Sequence, residues 1–240
     1  MIVRAAAKLT LSLRVTGVRP DGYHLLDAEM VTLDLADTLA FSDGDTLTVS
    51  GRFAAGVPTD DTNLVRRALR LAGRQAAVHV DKAIPSGGGL GGGSADAAAV
   101  LRWASFDDVA AAVRLGADVP FCLVGGRSRV RGVGEELEPL PYVDRTFTVV
   151  TPPVVVSTPA VYRVWDDLGG PTGEGGNDLE PAALVVAPDL ARWRDRIREV
   201  AGVVPSLAGS GASWFVEGAH PGLVEALPEA FVVVTRTTPA

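Results

Sequence analysis

The chain has 240 residues, of which 47% are hydrophobic and 21% are charged, and its formal net charge is −7. This length and composition are typical of a folded globular protein with one large domain or two modest ones. The acidic balance argues against a nucleic-acid-binding protein, because such a protein needs a basic face for the phosphates. It still allows a small anionic ligand to bind in a locally positive pocket.

Cys122 is the single cysteine of the sequence, so no internal disulfide can form, which fits the reducing cytoplasm. The N-terminus lacks the apolar segment of a signal peptide, and no run approaches the roughly 20 apolar residues that span a bilayer. We therefore expect a soluble cytoplasmic protein, monomeric or homodimeric, with neither a membrane nor a nucleic acid as partner.

The first third of the sequence predicts mainly strands. Residues 9–15 alternate between apolar and polar side chains, as expected for a half-buried strand, and further strands are expected at 28–35 and 46–50. A helix is expected at 64–72. A short strand at 76–80 then leads towards a run of glycines.

The next elements follow that glycine run. The alanine-rich residues 95–104 predict a helix, and Ser105 is predicted to cap a second helix. Residues 121–124 and 128–131 predict strands on either side of a pair of glycines. The glycine-rich residues 169–176 predict a loop.

Strands and helices alternate without regular βαβ spacing, which predicts an α+β fold. The proline pair that follows a strand-like segment at 147–150 predicts a boundary, and hence two domains, 1–148 and 149–240. The second of these is expected to be largely helical at 179–200 and to end in a strand at 231–235.

The sharpest functional signal is the glycine run, since six of the seven residues at 87–93 are glycine and a predicted helix follows at once. Glycine lets backbone N–H groups converge, and a helix N-terminus adds free N–H donors and partial positive charge. Such a segment is typical of a phosphate-binding loop. It matches neither the Walker A motif nor the Rossmann fingerprint. A flexible linker is the alternative, which the flanking strand and helix disfavour.

Three weaker signals lie elsewhere in the chain. Lys8 and Lys82 are the only lysines among 22 basic residues, which suggests that lysine is kept where a compact ammonium is needed. Asp118 lies in an apolar segment bounded by glycine, and the Gly209-Ser210-Gly211 turn precedes a strand. Taken singly, Lys8 fits a surface lysine and the 209–211 segment fits an ordinary tight turn better than they fit a site. Asp118 fits a capping aspartate as well as it fits a buried functional carboxylate.

Together, and in this order, the segments resemble the GHMP kinase superfamily. The resemblance implies a two-domain α+β fold, with an N-terminal domain like domain 2 of ribosomal protein S5 and a ferredoxin-like C-terminal domain. The sequences Arg-Pro-Asp-Gly-Tyr-His and Gly-Ala-Asp-Val-Pro-Phe indicate the branch that phosphorylates the 2-hydroxyl of a methylerythritol unit carrying a cytidine diphosphate, in isoprenoid precursor synthesis. The segments that carry the resemblance are residues 7–11, 19–24, 84–96, 116–121, 177–181 and 208–211.

The same resemblance implies ATP as the phosphate donor, with Mg²⁺ bridging its phosphates. Lys8 and Asp118 would be the catalytic pair, Asp118 either accepting the hydroxyl proton or orienting the hydroxyl, and Lys8 stabilising the developing charge. Ser94 would contact the metal ion or a phosphate. The residues implied to hold ATP are Pro85, Ser86, Gly87, Gly88, Gly89, Leu90, Gly91, Gly92, Gly93, Ser94 and Ala95.

For the acceptor, the resemblance implies a small molecule that carries a cytidine diphosphate. Tyr23 and His24 would meet its cytidine end, and Tyr162 would stack on the cytosine. The complete implied set for this substrate is Tyr23, His24, Thr158, Tyr162, Gly209, Ser210 and Gly211.

Two departures from the family pattern bear on this interpretation. Thr10 replaces the usual asparagine two residues after the lysine, and the region 104–116 is shorter than usual. Two alternatives therefore remain open. One is a GHMP kinase for a sugar, homoserine or a mevalonate-like alcohol; the other is a degenerate member that binds nucleotide without turnover.

Overall fold

The computed structural model describes residues 1–173 and 175–240. The fold comprises two mostly antiparallel sheets, one in each half of the chain, with helices packed on them. The strands are β1 (Ile2–Val18), β2 (His24–Ser42), β3 (Leu47–Ser50), β4 (Ala77–Asp81), β5 (Arg127–Gly132), β6 (Glu136–Pro139), β7 (Thr146–Thr151), β8 (Ser206–Leu207), β9 (Trp214–Glu217) and β10 (Phe231–Arg236). The helices are α1 (Leu64–Leu71), α2 (Gly92–Trp103), α3 (Val109–Ala112), α4 (Val119–Val124), α5 (Thr158–Asp167), α6 (Glu180–Val186), α7 (Asp189–Ala201) and α8 (Gly222–Ala226).

The first sheet is built around the long strand β2. Strand β1 pairs with one edge of β2, while β4 and β5 pair with the two ends of the other edge. Strand β3 lies parallel to β4, and β6 pairs with β5. The alternating pattern of β1 turns Ala5, Ala7 and Leu9 into the core. Strand β1 also packs against α2 and α4, the two helices that border the segment between the glycine run and Gly125.

Helix α2 lies in the middle of this core. Its alanines at positions 95 and 97–99 are buried, together with Val100 and Leu101. Alanine favours the helical backbone and has a small side chain, so neighbouring elements can approach the helix closely. Helices α1 and α4 and strand β1 all pack against α2. The start of α2, where the glycine run ends, is therefore fixed on several sides.

The second sheet has the strand order β10-β7-β9-β8 with every pair antiparallel. Along the chain these elements follow the β-α-β-β-α-β pattern of ferredoxin-like domains. Trp214, Leu190 and Ile197 lie in the core between this sheet and its helices. The α+β class predicted from the sequence is confirmed.

Strand β7 lies between the two cores. Phe147 and Val149 pack with the core of the first half, whereas Val150 packs with that of the second, as the period of two in a strand requires. The predicted boundary between residues 148 and 149 falls inside this strand. The division into domains 1–148 and 149–240 stays a prediction.

Two local predictions are wrong. Residues 121–124 form part of helix α4 and not a strand, because Pro120 opens the helix and Gly125, with φ of 76°, ends it. A run of four apolar residues cannot separate a strand from a buried helix by periodicity. Ser105, with φ of 56°, ends α2 instead: its N–H donates to Arg102 O and the N–H of Phe106 donates to Leu101 O. Asp108 caps the short helix α3 by accepting a hydrogen bond from Ala111 N at 2.8 Å.

The loop predicted at 169–176 includes Glu174, which lies outside the described residues. Within the described ranges, none of the helices is long and apolar enough to cross a membrane.

Candidate active site

The glycine run forms the connection between β4 and α2. Gly87, Gly89 and Gly91 have φ between 70° and 76°, a left-handed conformation that disfavours other residues. At Gly89 a Cβ atom would lie 2.2 Å from the carbonyl oxygen of Ala208, so the two backbones meet in direct contact there. Glycine is required at this point both by backbone conformation and by the close approach of a second loop.

Two cavities lie on either side of this glycine loop. The first, called the first cleft, has a volume of about 400 Å³ and lies between the loop and residues 56–58 and 62–64. The second cleft, of about 280 Å³, is bordered by Lys8, Asp118 and residues 209–211. Gly87, Gly89 and Ser94 border both cavities. The two clefts therefore share residues of the glycine loop, so a ligand in one cleft could react with a ligand in the other.

The predicted loop residues do not all face the first cleft. Leu90 and Ala95 are buried beneath the loop and border neither cleft. The carbonyl oxygen of Leu90 accepts a hydrogen bond from the backbone N–H of Lys8 at 3.0 Å, which fixes the loop to β1. The predicted loop residues that do line the first cleft are Pro85, Ser86, Gly87, Gly88, Gly89, Gly91, Gly92, Gly93 and Ser94.

Lys8 and Asp118 meet at the second cleft, although they are far apart in sequence. Lys8 Nζ lies 3.2 Å from Asp118 Oδ2 and donates a hydrogen bond to Thr10 Oγ1 at 3.0 Å. The lysine side chain is only 5% exposed, so it is not a surface lysine, while the aspartate side chain remains 32% exposed. Asp118 stands at the N-cap of α4 but makes no capping hydrogen bond. Its carboxylate faces the lysine and the cleft instead.

The other lysine of the chain lies at the first cleft, with partners that the sequence did not indicate. Lys82 Nζ donates to Asp96 Oδ2 at 2.6 Å and to Asp37 Oδ2. Asp37 Oδ1 accepts the backbone N–H groups of Ala83 and Ile84, at 2.6 and 2.8 Å. Through these bonds Lys82, which comes just before the glycine loop, is fixed to Asp37 of β2 and to Asp96 of α2. The scarcity of lysine was the one sequence signal that pointed to it.

Burial controls the ionisation of this cluster. It raises the pKa of Asp96 to about 7, and Asp37 adds to that rise, while the ammonium of Lys82 opposes it. Burial also lowers the pKa of Lys82, but the two aspartates outweigh it, so that this pKa lies above its usual value. Lys82 is therefore a cation held between two buried carboxyl groups.

Aromatic side chains gather beyond the second cleft. The rings of His24 and Tyr162 lie 4.7 Å apart, and His24 Nε2 is 2.8 Å from Asp166 Oδ1. Trp165 meets the same imidazole edge-on. Tyr162 borders the cleft, and burial, followed by the charge of Asp118, raises the pKa of its hydroxyl. Tyr23 is 63% exposed and lies outside this group.

The turn at residues 209–211 closes one side of the second cleft. A Cβ atom on Gly209 would lie 3.6 Å from Lys8 Nζ, so this backbone passes directly over the lysine. The Ser210 and Thr158 hydroxyl oxygens are hydrogen-bonded at 2.7 Å. Thr158, the first residue of α5, also borders the second cleft, so the turn and the helix are hydrogen-bonded to each other at its edge.

In the part of the chain that the structure describes, no group of three or more His, Cys, Asp or Glu residues could hold a metal ion. Cys122 is buried, and burial raises the pKa of its thiol to about 12. A thiolate nucleophile and a protein-built metal cage are therefore both disfavoured within the described residues.

Comparison with known proteins agrees with this geometry. The family described as GHMP kinases N terminal domain matches residues 63–126, which contain the glycine loop and Asp118. A 4-diphosphocytidyl-2-C-methyl-D-erythritol kinase of Cereibacter sphaeroides is 42% identical, over 88% of this chain and 87% of the relative. An enzyme of the same name from Cutibacterium acnes is 38% identical, over 87% of this chain and 83% of the relative.

Solved structures show the same relationship. The crystal structure of a 4-(cytidine 5'-diphospho)-2C-methyl-D-erythritol kinase aligns with a TM-score of 0.77 and 34% identity, over 99% of this chain and 100% of that one. The mevalonate kinase of Methanococcus jannaschii shares the fold, with a TM-score of 0.64 and 13% identity over 99% and 98% of the two chains. The fold and the site define a small-molecule kinase of the GHMP class. Within that class, the chain belongs to the 4-diphosphocytidyl-2-C-methyl-D-erythritol kinase family.

Proposed function

We propose that the chain transfers the γ-phosphoryl group of ATP to the 2-hydroxyl of 4-diphosphocytidyl-2-C-methyl-D-erythritol, a step in non-mevalonate isoprenoid precursor synthesis. The observation that carries the proposal is the wall of glycines shared by two clefts, with Lys8 and Asp118 on the side away from Lys82. The relatives of this name at up to 42% identity support the choice of substrate. The single cysteine leaves no internal disulfide, which fits a reducing compartment, and we propose the cytoplasm as the location of the protein.

ATP is proposed to occupy the first cleft with its phosphates on the glycine loop. The start of α2 provides N–H groups and partial positive charge there. Ser94 borders both clefts, so its hydroxyl would contact a Mg²⁺ ion or a phosphate there. Mg²⁺ usually keeps several water ligands and binds substrate phosphates, so it needs few ligands from the protein. Such an ion would neutralise charge on the β- and γ-phosphates.

The transfer step follows from the pair at the second cleft. The hydroxyl oxygen of the alcohol forms a bond to the γ-phosphorus, the bond from that phosphorus to the bridging oxygen breaks, and ADP leaves. Asp118 orients the hydroxyl and receives its proton. The Lys8 ammonium, fixed by Thr10 and Asp118, stabilises the negative charge on the transferring group. Thr10, in place of the family's asparagine, therefore still supports the lysine.

The aromatic group beyond the second cleft is proposed to recognise the cytosine. Tyr162 presents a ring at the cleft, and this ring packs against His24, which in turn meets Trp165 edge-on. Stacking on a nucleobase gives roughly 1–3 kcal/mol per base. A sugar, homoserine or mevalonate has no such ring, so the aromatic group favours the cytidine-bearing alcohol over these acceptors.

A coupled assay of ADP release over a panel of acceptors tests the proposal. We expect release of ADP with 4-diphosphocytidyl-2-C-methyl-D-erythritol, and none with the same alcohol without its cytidine group, with homoserine or with mevalonate. Turnover of a plain alcohol and not of the cytidine derivative would contradict the specificity. ATP binding without turnover of any acceptor would indicate a degenerate member of the family.

A further inference from the structure

Asn177 is a buried amide that lies behind the second cleft, without bordering it. Its Nδ2 group donates to the carbonyl oxygens of Leu207 and Gly209, at 2.8 and 2.6 Å, and its Oδ1 accepts the N–H of Leu179 at 3.0 Å. Because two carbonyl oxygens face it, only the NH₂ end of the amide can lie on that side. Both amide protons and the carbonyl are thus used to join separate backbone segments.

The backbone beside Asn177 is attached to β1. Leu13 N donates to Gly176 O and Asp178 N donates to Leu13 O, both at 2.9 Å, which adds a short parallel bridge to the edge of β1. The Asp178 carboxylate accepts Val15 N at 3.0 Å. Asn177 is therefore fixed to the strand that carries Lys8 and Thr10.

The other end of the connection is the turn at 209–211. This turn lies over Lys8 and against the glycine loop, with Gly209 next to Lys8 Nζ and Ala208 O in contact with Gly89. We propose that Asn177 is a positioning residue, which fixes this turn to β1 and so sets where the acceptor alcohol lies relative to Lys8 and the transferred phosphoryl group. The inference rests on the proposed function, since it assigns the alcohol to the second cleft.

The Asn177→Asp variant tests the connection with almost no change in shape. The variant replaces the NH₂ group of Asn177, which donates two hydrogen bonds, by an oxygen atom that faces the carbonyl oxygens of Leu207 and Gly209. Because these oxygens repel one another, the turn at 209–211 must move. A displacement of about 1 Å near a reacting group costs about 100-fold in rate. We expect kcat/KM for the cytidine-bearing alcohol to fall by about that factor, with an increased KM for the alcohol. Affinity for a non-hydrolysable ATP analogue should stay within about twofold, because the first cleft does not include this turn.

Thr148→Val provides a matched control. The buried Thr148 hydroxyl donates to Gly218 O and accepts a hydrogen bond from His220 N, both at 2.9 Å. The variant therefore also breaks two side-chain-to-backbone hydrogen bonds in the second half of the chain. None of these residues borders either cleft. We expect it to lower the melting temperature as Asn177→Asp does, and to leave the kinetic constants within about twofold.

Asn177→Ala, followed by amide hydrogen exchange, gives a readout that does not depend on turnover. Exchange at residues 207–211 should become about tenfold faster, because the carbonyl anchors are lost. Unchanged exchange overturns the proposal, as do unchanged kinetics in Asn177→Asp or an equal loss of ATP-analogue binding. Unfolding of both Asn177 variants while Thr148→Val stays folded also overturns it. Absence of turnover in the unaltered protein contradicts the proposed function, and the exchange result then decides the role of Asn177.

Discussion

Gly91→Ala should displace the Lys8 side chain without replacing any charged residue. Gly91 caps α2 with φ of 70°, and a Cβ atom there would lie 2.8 Å from Lys8 Cγ and 3.3 Å from Lys8 Cε. Carbon atoms pack at roughly 3.5–4.0 Å, so the lysine has to move by about 1 Å. Its backbone N–H is fixed to Leu90 O, so the side chain must bear most of this shift.

The expected size of the effect follows from the contacts that the shift breaks. Lys8 Nζ is 3.2 Å from Asp118 Oδ2 and 3.0 Å from Thr10 Oγ1. Hydrogen bonds of this kind are usually no longer than about 3.2 Å, so a displacement of the ammonium by about 1 Å breaks both contacts. We expect kcat to fall about 100-fold. The left-handed backbone adds a loss of about 1–2 kcal/mol in the free energy of unfolding.

Gly202→Ala separates these two effects. Gly202 ends α7 with φ of 73°, and nothing lies within 4 Å of a Cβ atom at this position. Urea unfolding and steady-state kinetics should show a similar loss of stability in both variants but a loss of kcat only in Gly91→Ala. If kcat in the two variants agrees within about twofold, the contact between Gly91 and Lys8 does not position the lysine.

Three further variants test other parts of the site. Asp118→Asn should lower kcat by about 10²–10⁴-fold and leave the affinity for an ATP analogue within about twofold, and an unchanged kcat would remove Asp118 from proton transfer. Lys82→Met leaves Asp37 and Asp96 buried without their cation, so urea unfolding should show a loss of about 3–5 kcal/mol; wild-type stability would contradict the ionic role of the cluster. Tyr162→Ala should raise KM for the cytidine-bearing alcohol at least about tenfold with an unchanged KM for ATP, whereas an unchanged KM for the alcohol would place the cytosine elsewhere.

The glycine loop could be predicted from the sequence because its signal is local. A dense run of glycine before a helix has few physical uses other than a close approach of backbone to an anion. Lys8 and Asp118, by contrast, meet through the pairing of β1 with β2 and the packing of α4, which no spacing reveals. Their pairing was implied only by resemblance to a family.

The missed and wrong predictions have related causes. Lys82 gains Asp37 from the distant strand β2, so its partners depend on long-range strand register. Residues 121–124 predict a strand but form part of helix α4, because four apolar residues show no period that separates a strand from a helix. The role of Tyr23 at the cytidine end stays a prediction, and its side chain is exposed to solvent.

The most direct test of the account is ³¹P NMR of the reaction product. The purified protein, supplied with ATP, Mg²⁺ and 4-diphosphocytidyl-2-C-methyl-D-erythritol, should form one new phosphomonoester on the 2-hydroxyl together with one equivalent of ADP. Release of ADP without a phosphomonoester, or a phosphoryl group on another hydroxyl, would contradict the proposed arrangement of the two clefts across the glycine loop.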